Sequence, residues 1–321
     1  MASTTSSMDM EQMLAKIKDK QWALADIDWE APGAELITEE QRPTLKAFMA
    51  DLCWIENVGA RGFAAMVAKA PTPTVSEIYR YFHAEEQRHA NAELALMRRW
   101  GMLEEGEIPE PNNNIRMAIE WLDTYGDDMP LSVLGTVIPM LEVALDGALL
   151  KFLLEEVQDP VCHQVFEKIN SDESRHIAVD FAVLDMIGNA KARQLAVEFV
   201  GNLASPGLII GALMYVPLLN RMRNNIVEMG LQPEKLYSAM SRFRKLGDRG
   251  DFTQRVPLYQ VLKVHAEMVI DPEHPYHLIA NPMVKLSELY PRALFRPIPT
   301  WFKELTYQPI SRTVKKGMNA A

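Results

Sequence analysis

Two five-residue strings constrain this chain more than anything else in it. Residues 85–89 read Glu-Glu-Gln-Arg-His and residues 172–176 read Asp-Glu-Ser-Arg-His, both of the form acid-Glu-x-Arg-His. Each lies deep inside a long segment whose apolar residues recur at three and four positions, the period of an amphipathic helix. A Glu and a His three apart on a helix share a face, so a carboxylate and an imidazole converge on one point. Glu86 pairs with His89 in this way, and Glu173 with His176. A lone Glu-x-x-His string arises by composition about 0.6 times in a chain like this and is weak evidence. Two copies of the longer string arise on the order of once in 100,000 such chains, which sets coincidence aside.

Each string has an isolated glutamate upstream in apolar surroundings. Glu56 sits in Trp54-Ile-Glu-Asn57 and Glu142 in Met140-Leu-Glu-Val143, 30 residues before Glu86 and 31 before Glu173. At a rise of about 1.5 Å per residue, two antiparallel helices with a short turn bring such positions level. The halves therefore read as a pseudo-repeat, each supplying one Glu and one Glu-x-x-His. Burying four carboxylates costs several kcal/mol per charge unless cations compensate them, and two divalent ions balance four carboxylates. The expected metal ligands are Glu56, Glu86, His89, Glu142, Glu173 and His176. Asp146, one turn past Glu142, is the alternative at that position, and the pseudo-repeat favours Glu142. His83, Trp54 and Tyr79 read as core, and the remaining histidines lack carboxylates at ligand spacing.

Punctuation residues divide the chain into helices. Thr38, with Glu39, Glu40 and Pro43 behind it, opens a helix that runs to about residue 70, where Pro71-Thr-Pro-Thr74 stops it. A second spans about 75–101 and a shorter one 115–125. A third long helix covers about 131–157, and Asp159-Pro160 turns the chain into a fourth that ends near Gly188-Asn189. The predicted fold is all-α: a four-helix bundle over residues 38–188, an N-terminal lead-in over 1–37, and a helical extension over 189–321 packed on the bundle.

Composition narrows the partners. A net charge of −10 argues against general nucleic-acid binding, which draws on a basic surface. Cys53 and Cys162 lie in apolar helical patterns and read as reduced core thiols. Residues 1–8 carry neither a basic nor an apolar segment of the kind found in a signal peptide, so a cytoplasmic location is expected. The apolar stretch Leu203–Leu219 is interrupted by Pro206, Gly207, Gly211 and Pro217 and is too short for a membrane span; it reads as a buried helix.

Over about residues 45–185 the chain resembles the oxygen-activating branch of the ferritin-like di-iron carboxylate proteins. Soluble acyl-carrier-protein desaturases carry Glu-Glu-Asn-Arg-His and Asp-Glu-Lys-Arg-His strings, matched here by residues 85–89 and 172–176. The resemblance implies two iron ions, and manganese or a mixed Mn/Fe pair accepts the same donors. It also gives Glu85 and Asp172 the task of orienting the histidines, with Arg88 and Arg175 as their counter-charges. The pseudo-symmetry predicts that Asp172 reaches His89 and Glu85 reaches His176 across the bundle. Di-iron arylamine N-oxygenases are more distantly similar, but they add a third histidine where this chain has Ile169.

The resemblance implies an O2-dependent oxidoreductase that desaturates or hydroxylates an apolar, acyl-type and carrier-bound substrate, with a ferredoxin or reductase as electron donor. The basic segment 221–255 reads first as a solvated face and second as a docking face for an acidic carrier protein or a ferredoxin. An N-oxygenase acting on an amine and a ferritin-like iron-handling protein are the alternatives. The long extension beyond residue 188 speaks against an iron-storage cage and for a small homo-oligomer.

Overall fold

The computed structural model describes residues 8–298, apart from 105, 146–149, 151–152, 155–156, 204 and 229–233. Among the described residues eleven α-helices and no strands are present. Helix α1 spans Met10–Asp19, α2 Arg42–Val67, α3 Pro73–Arg99, α4 Asn113–Tyr125, α5 Leu131–Leu145 and α6 Pro160–Gly188. The extension adds α7 Ala192–Leu203, α8 Pro206–Glu228, α9 Glu234–Gly247, α10 Pro257–Ile270 and α11 His277–Glu288.

Helices α2, α3, α6 and α5 form the bundle, each packing against the next around a ring: α2 on α3, α3 on α6, α6 on α5 and α5 on α2. The starts of the two string-bearing helices are fixed by side chains that satisfy their orphan N–H groups. Thr72 accepts from the amide of Val75 at 3.2 Å with Pro73 in the first turn of α3, and Asp159 accepts from the amide of Val161 at 3.0 Å with Pro160 in the first turn of α6.

Asp159 also sets the register of α3 against α6. Its buried carboxylate accepts from Arg99 Nε at 2.8 Å, Arg99 Nη2 at 3.1 Å and Trp100 Nε1 at 2.8 Å. The end of α3 is thereby level with the start of α6. Thirteen residues back from Arg99 is Glu86, and thirteen on from Pro160 is Glu173. The same rise along both helices, roughly 20 Å, brings these two glutamates opposite each other.

Three features depart from the sequence expectations. Within the lead-in, α1 forms with Asp9 as its N-cap and Met10, Leu14 and Ile17 buried, and it packs on α3. The stretch Leu203–Leu219 is not a buried helix: α8 lies across α4 on the outside of the bundle and leaves Ile209, Ile210 and Leu213 exposed. Its inner face is held by Trp121, which donates to the carbonyl of Gly207 at 2.7 Å and lies against Gly211. Gly188 also serves a different purpose from a cap. It stays helical, with Asn189 as the C-cap, and a side chain there would collide with the carbonyl of Phe252.

No single described helix is long and apolar enough to cross a membrane; only the bent pair Arg193–Leu203 and Pro206–Arg221, meeting at 81°, passes on combined length and composition. Helices α9 and α10 pack on α5, and Leu218 of α8 closes over a cluster that includes Trp54, Val58 and Ile115. Cys53 and Cys162 are buried free thiols.

Candidate metal centre

The ring of helices brings the six sequence-selected residues together at its axis. Glu56 comes from α2, Glu86 and His89 from α3, Glu142 from α5, and Glu173 and His176 from α6, all buried. They fall into two sets of donor atoms lying within 4.8 Å of one another: Glu56, Glu86, His89 and Glu173 in one, and Glu86, Glu142, Glu173 and His176 in the other. Glu86 and Glu173 belong to both. Asp146, the alternative to Glu142, lies outside the described residues.

Both histidines turn Nδ1 toward the carboxylates. His89 Nδ1 is 3.1 Å from Glu173 Oε1 and 3.5 Å from Glu56 Oε2. His176 Nδ1 is 3.0 Å from Glu86 Oε1, 3.6 Å from Glu173 Oε1 and 3.8 Å from Glu142 Oε1. Despite these approaches, both Nδ1 atoms, Glu86 Oε1, Glu173 Oε1 and both Glu142 oxygens satisfy no hydrogen bond. Buried polar groups normally find partners. Donor atoms that crowd around two common points without satisfied hydrogen bonds have the geometry of a ligand set, so the residues fit a pair of metal ions.

The outward nitrogens are held across the bundle. His89 Nε2 lies 3.1 Å from Asp172 Oδ2 on α6, and His176 Nε2 lies 2.8 Å from Glu85 Oε2 on α3. An acid there keeps a proton on Nε2 and turns Nδ1 inward, where a metal ion would displace the proton it carries in the apo-protein. Arg88 Nη2 donates to Asp172 at 3.0 Å, Arg175 pairs with Asp172, and each guanidinium lies 3.6 Å from Glu85 Oε1. Two acids and two arginines thus form a buried, internally neutral cluster, leaving four glutamates to be balanced at the centre.

The sequence reading missed two contributors to this cluster from the segment after α1. Trp22 Nε1 donates to Asp172 Oδ2 at 2.8 Å, and the Arg88 guanidinium stands 4.8 Å above its ring. Gln21 bonds to Glu85 and accepts from Arg88 Nη1 at 2.9 Å. No ligand-like pattern marks these residues; the only signal was the helix ahead of them, with its Asp9 cap and the Met10, Leu14, Ile17 spacing. Also missed were Glu93 and Asp180, each four residues past a histidine and fully buried. Asp180 faces Glu142, and both oxygens of Glu93 lack a hydrogen bond.

Burial and mutual repulsion determine how the acids titrate. Burial, then Glu173 and Glu56, hold the Glu86 carboxyl well above the usual range; burial, Asp180 and Glu173 do the same for Glu142. Burial lifts Glu93 likewise and pushes Asp180 up to about 7. Burial works to raise Glu173 as well, but the two histidines overcome it and hold that carboxyl at about 2. The histidines show the mirror effect: burial would lower them, and the surrounding carboxylates hold both well above the ordinary imidazole value.

Beside the centre is a small cavity of about 30 Å³, lined by Glu56, Glu86, Glu142 and Glu173 and by apolar side chains of α2 and α5 such as Leu52, Ile55, Ile138 and Leu141. Neither histidine lines it. The centre therefore meets the cavity through its carboxylates and the protein matrix through its imidazoles. Other residues weighed in the sequence lie elsewhere: His83 bonds through Nδ1 with the carbonyl of Ala60 at 2.8 Å, and Trp54 donates to the carbonyl of Pro109 at 2.7 Å. In the basic segment, Arg221 pairs with Glu288 at 2.6 Å and Arg244 with Glu267 at 3.0 Å, so part of its charge is compensated internally.

No family model matches this chain, and no curated protein matches it in sequence. Solved structures do match in fold. An R2-like ligand-binding oxidase variant with an aerobically reconstituted Mn/Fe cofactor aligns with a TM-score of 0.51 at 16% identity, covering 90% of this chain and 95% of that one. A second variant, with an anaerobically reconstituted Mn/Fe cofactor, gives 0.51 at 16% identity over 86% of this chain and 95% of that one. A third, with a non-activated Mn/Mn cofactor, gives 0.50 at 16% over 88% and 94%. The chain shares the ferritin-like helical-bundle fold of these oxidases.

Proposed function

We propose that this protein is an O2-dependent di-metal oxidoreductase that desaturates or hydroxylates an apolar organic substrate. One observation carries the reading: two donor sets that share Glu86 and Glu173 open on their carboxylate side into an apolar-walled cavity. Iron, or manganese and iron together, suits a donor set of four carboxylates and two imidazoles. Bound there, such a pair activates O2 and supplies oxidising power that no side chain provides.

The chain's own residues do the rest. Glu56 and His89 would hold one ion, Glu142 and His176 the other, and Glu86 and Glu173 both. Glu85 and Asp172 keep the imidazoles in the tautomer that presents Nδ1. Leu52, Ile55, Ile138 and Leu141 give the approach to the centre an apolar wall along which an apolar segment of the substrate would lie. Among the described residues the lining is carboxylate and apolar, which suits an uncharged segment of the substrate. Ile169, fully buried one turn before Glu173, offers no further ligand and favours carbon over amine oxidation. A ferredoxin or reductase serves as electron donor. The oxidases that share the fold support the same class.

The test is O2 consumption by the metal-loaded protein with a reductant, with and without acyl substrates. Faster uptake with substrate and recovery of an unsaturated or hydroxylated product support the proposal. A particle that mineralises hundreds of irons and leaves every organic substrate unchanged overturns it.

A further inference from the structure

Gly59 lies one turn past Glu56 in the interior of α2. A glycine there costs roughly 1 kcal/mol relative to alanine. Its backbone is not left-handed, since the positive-φ glycines are Gly33, Gly101 and Gly106. Conformational freedom therefore does not account for it, and close approach does. A Cβ at position 59 would stand 2.6 Å from Glu86 Oε2 and 3.2 Å from Glu86 Cδ. Gly62, one turn further on, shows what an ordinary packing glycine does in this helix: its Cβ would meet Ile138 Cδ1 at 2.6 Å. One glycine makes room for a methyl group, the other for a carboxylate common to both donor sets.

We propose that Gly59 is the positioning residue for Glu86: the missing side chain creates the recess in which the shared carboxylate sits and keeps the cavity open beside it. The inference rests on the metal centre proposed above. Glu86 is confined from its other side, with Oε1 3.0 Å from His176 Nδ1. A methyl group at 59 would push the end of this side chain away from its present place in both donor sets. Gly59 also lines the cavity together with Glu56 and Glu86, so a side chain there would shorten the approach to the centre as well.

The experiment is an anaerobic Fe(II) titration of the wild type, G59A, G62A, E86D and G59A/E86D, read by bound iron per chain, with apo-protein melting and far-UV circular dichroism alongside. G59A is expected to fold, with an apo Tm equal to or above wild type, and to bind iron 10- to 100-fold more weakly. G62A is expected to melt lower and keep wild-type iron affinity. Glu86→Asp withdraws the carboxylate by one methylene, so in the double variant the two effects are expected to be less than additive, a coupling that general loss of packing does not produce.

Equal iron affinity in G59A and wild type overturns the inference and leaves the metal centre standing. Equal weakening by G62A overturns it too, because the effect would then be packing. If G59A fails to fold, recovery of the fold in G59A/E86D supports the collision with Glu86 and its absence overturns it. A wild type that takes up no iron overturns the metal centre, and this inference with it.

Discussion

Asp159 and Arg99 form a two-point ion pair, Nε to Oδ2 at 2.8 Å and Nη2 to Oδ1 at 3.1 Å, at the level where α3 ends and α6 begins. Both side chains are nearly inaccessible, at 0% and 7% exposure, so neither charge is screened by water. Removing one partner leaves the other charged and buried, which costs roughly 3–5 kcal/mol. D159A is expected to lower unfolding stability by about that amount in urea titrations. It should also weaken metal uptake, since the pair fixes the register that sets Glu86 against Glu173.

A gentler perturbation separates orientation of the histidines from folding. Asp172 accepts from Trp22 Nε1 at 2.8 Å and Arg88 Nη2 at 3.0 Å while facing His89 Nε2 at 3.1 Å. D172N keeps the shape and loses the charge that sets the imidazole's tautomer. Metal affinity is expected to fall 10- to 100-fold with the helical signal intact. Trp22→Phe, which removes one neutral donor worth about 1 kcal/mol, should shift affinity in the same direction by less. Isothermal titration with Mn(II) distinguishes the two variants.

The two donor sets make the glutamates unequal. Glu56 belongs only to the set with His89 and Glu142 only to the set with His176, whereas Glu86 and Glu173 serve both. E56A and E142A are each expected to retain one tightly held ion per chain, while E86A and E173A retain one or fewer with weakened affinity for either. Metal analysis after gel filtration reads this directly.

Much of this arrangement was legible in the sequence, for specific physical reasons. A glutamate and a histidine three apart can share a face only on a helix, so the two strings fixed both the secondary structure and the inward face. The Asp159-Pro160 boundary was readable as a helix start, and with it the antiparallel partnering of the last two bundle helices. The bonds of Gln21 and Trp22 were not legible, because they depend on how a connector crosses the bundle and span 64 and 150 residues of sequence. Glu93 and Asp180 lie outside both strings, and only the packing of neighbouring helices buries them. The exposure of α8 escaped for the opposite reason: its hydrophobicity signals burial, but a helix on the outside of a bundle buries one face.

The acids and histidines make stability depend on pH in opposite senses with and without metal. In the apo-protein, the folded chain holds protons on His89, His176, Glu86 and Glu142 above their ordinary values. Between pH 6 and 8 the unfolded chain has released most of these, so unfolding releases protons and apo stability falls as pH rises. Glu173, held at about 2, contributes stability that is lost only below the ordinary carboxylate range, outside this window. Metal ions displace the retained protons, so affinity rises with pH. Melting curves at pH 6, 7 and 8 should show a falling apo Tm and a growing metal-induced increase.

The central claim is that six buried side chains hold two metal ions in one bundle. Anaerobic loading with Fe(II), removal of loosely bound metal and elemental analysis test it most directly. Two irons per chain, about 3.5–4 Å apart by X-ray absorption, are expected from donor sets that share two carboxylates. A properly folded wild type that retains no iron and no manganese would contradict the account.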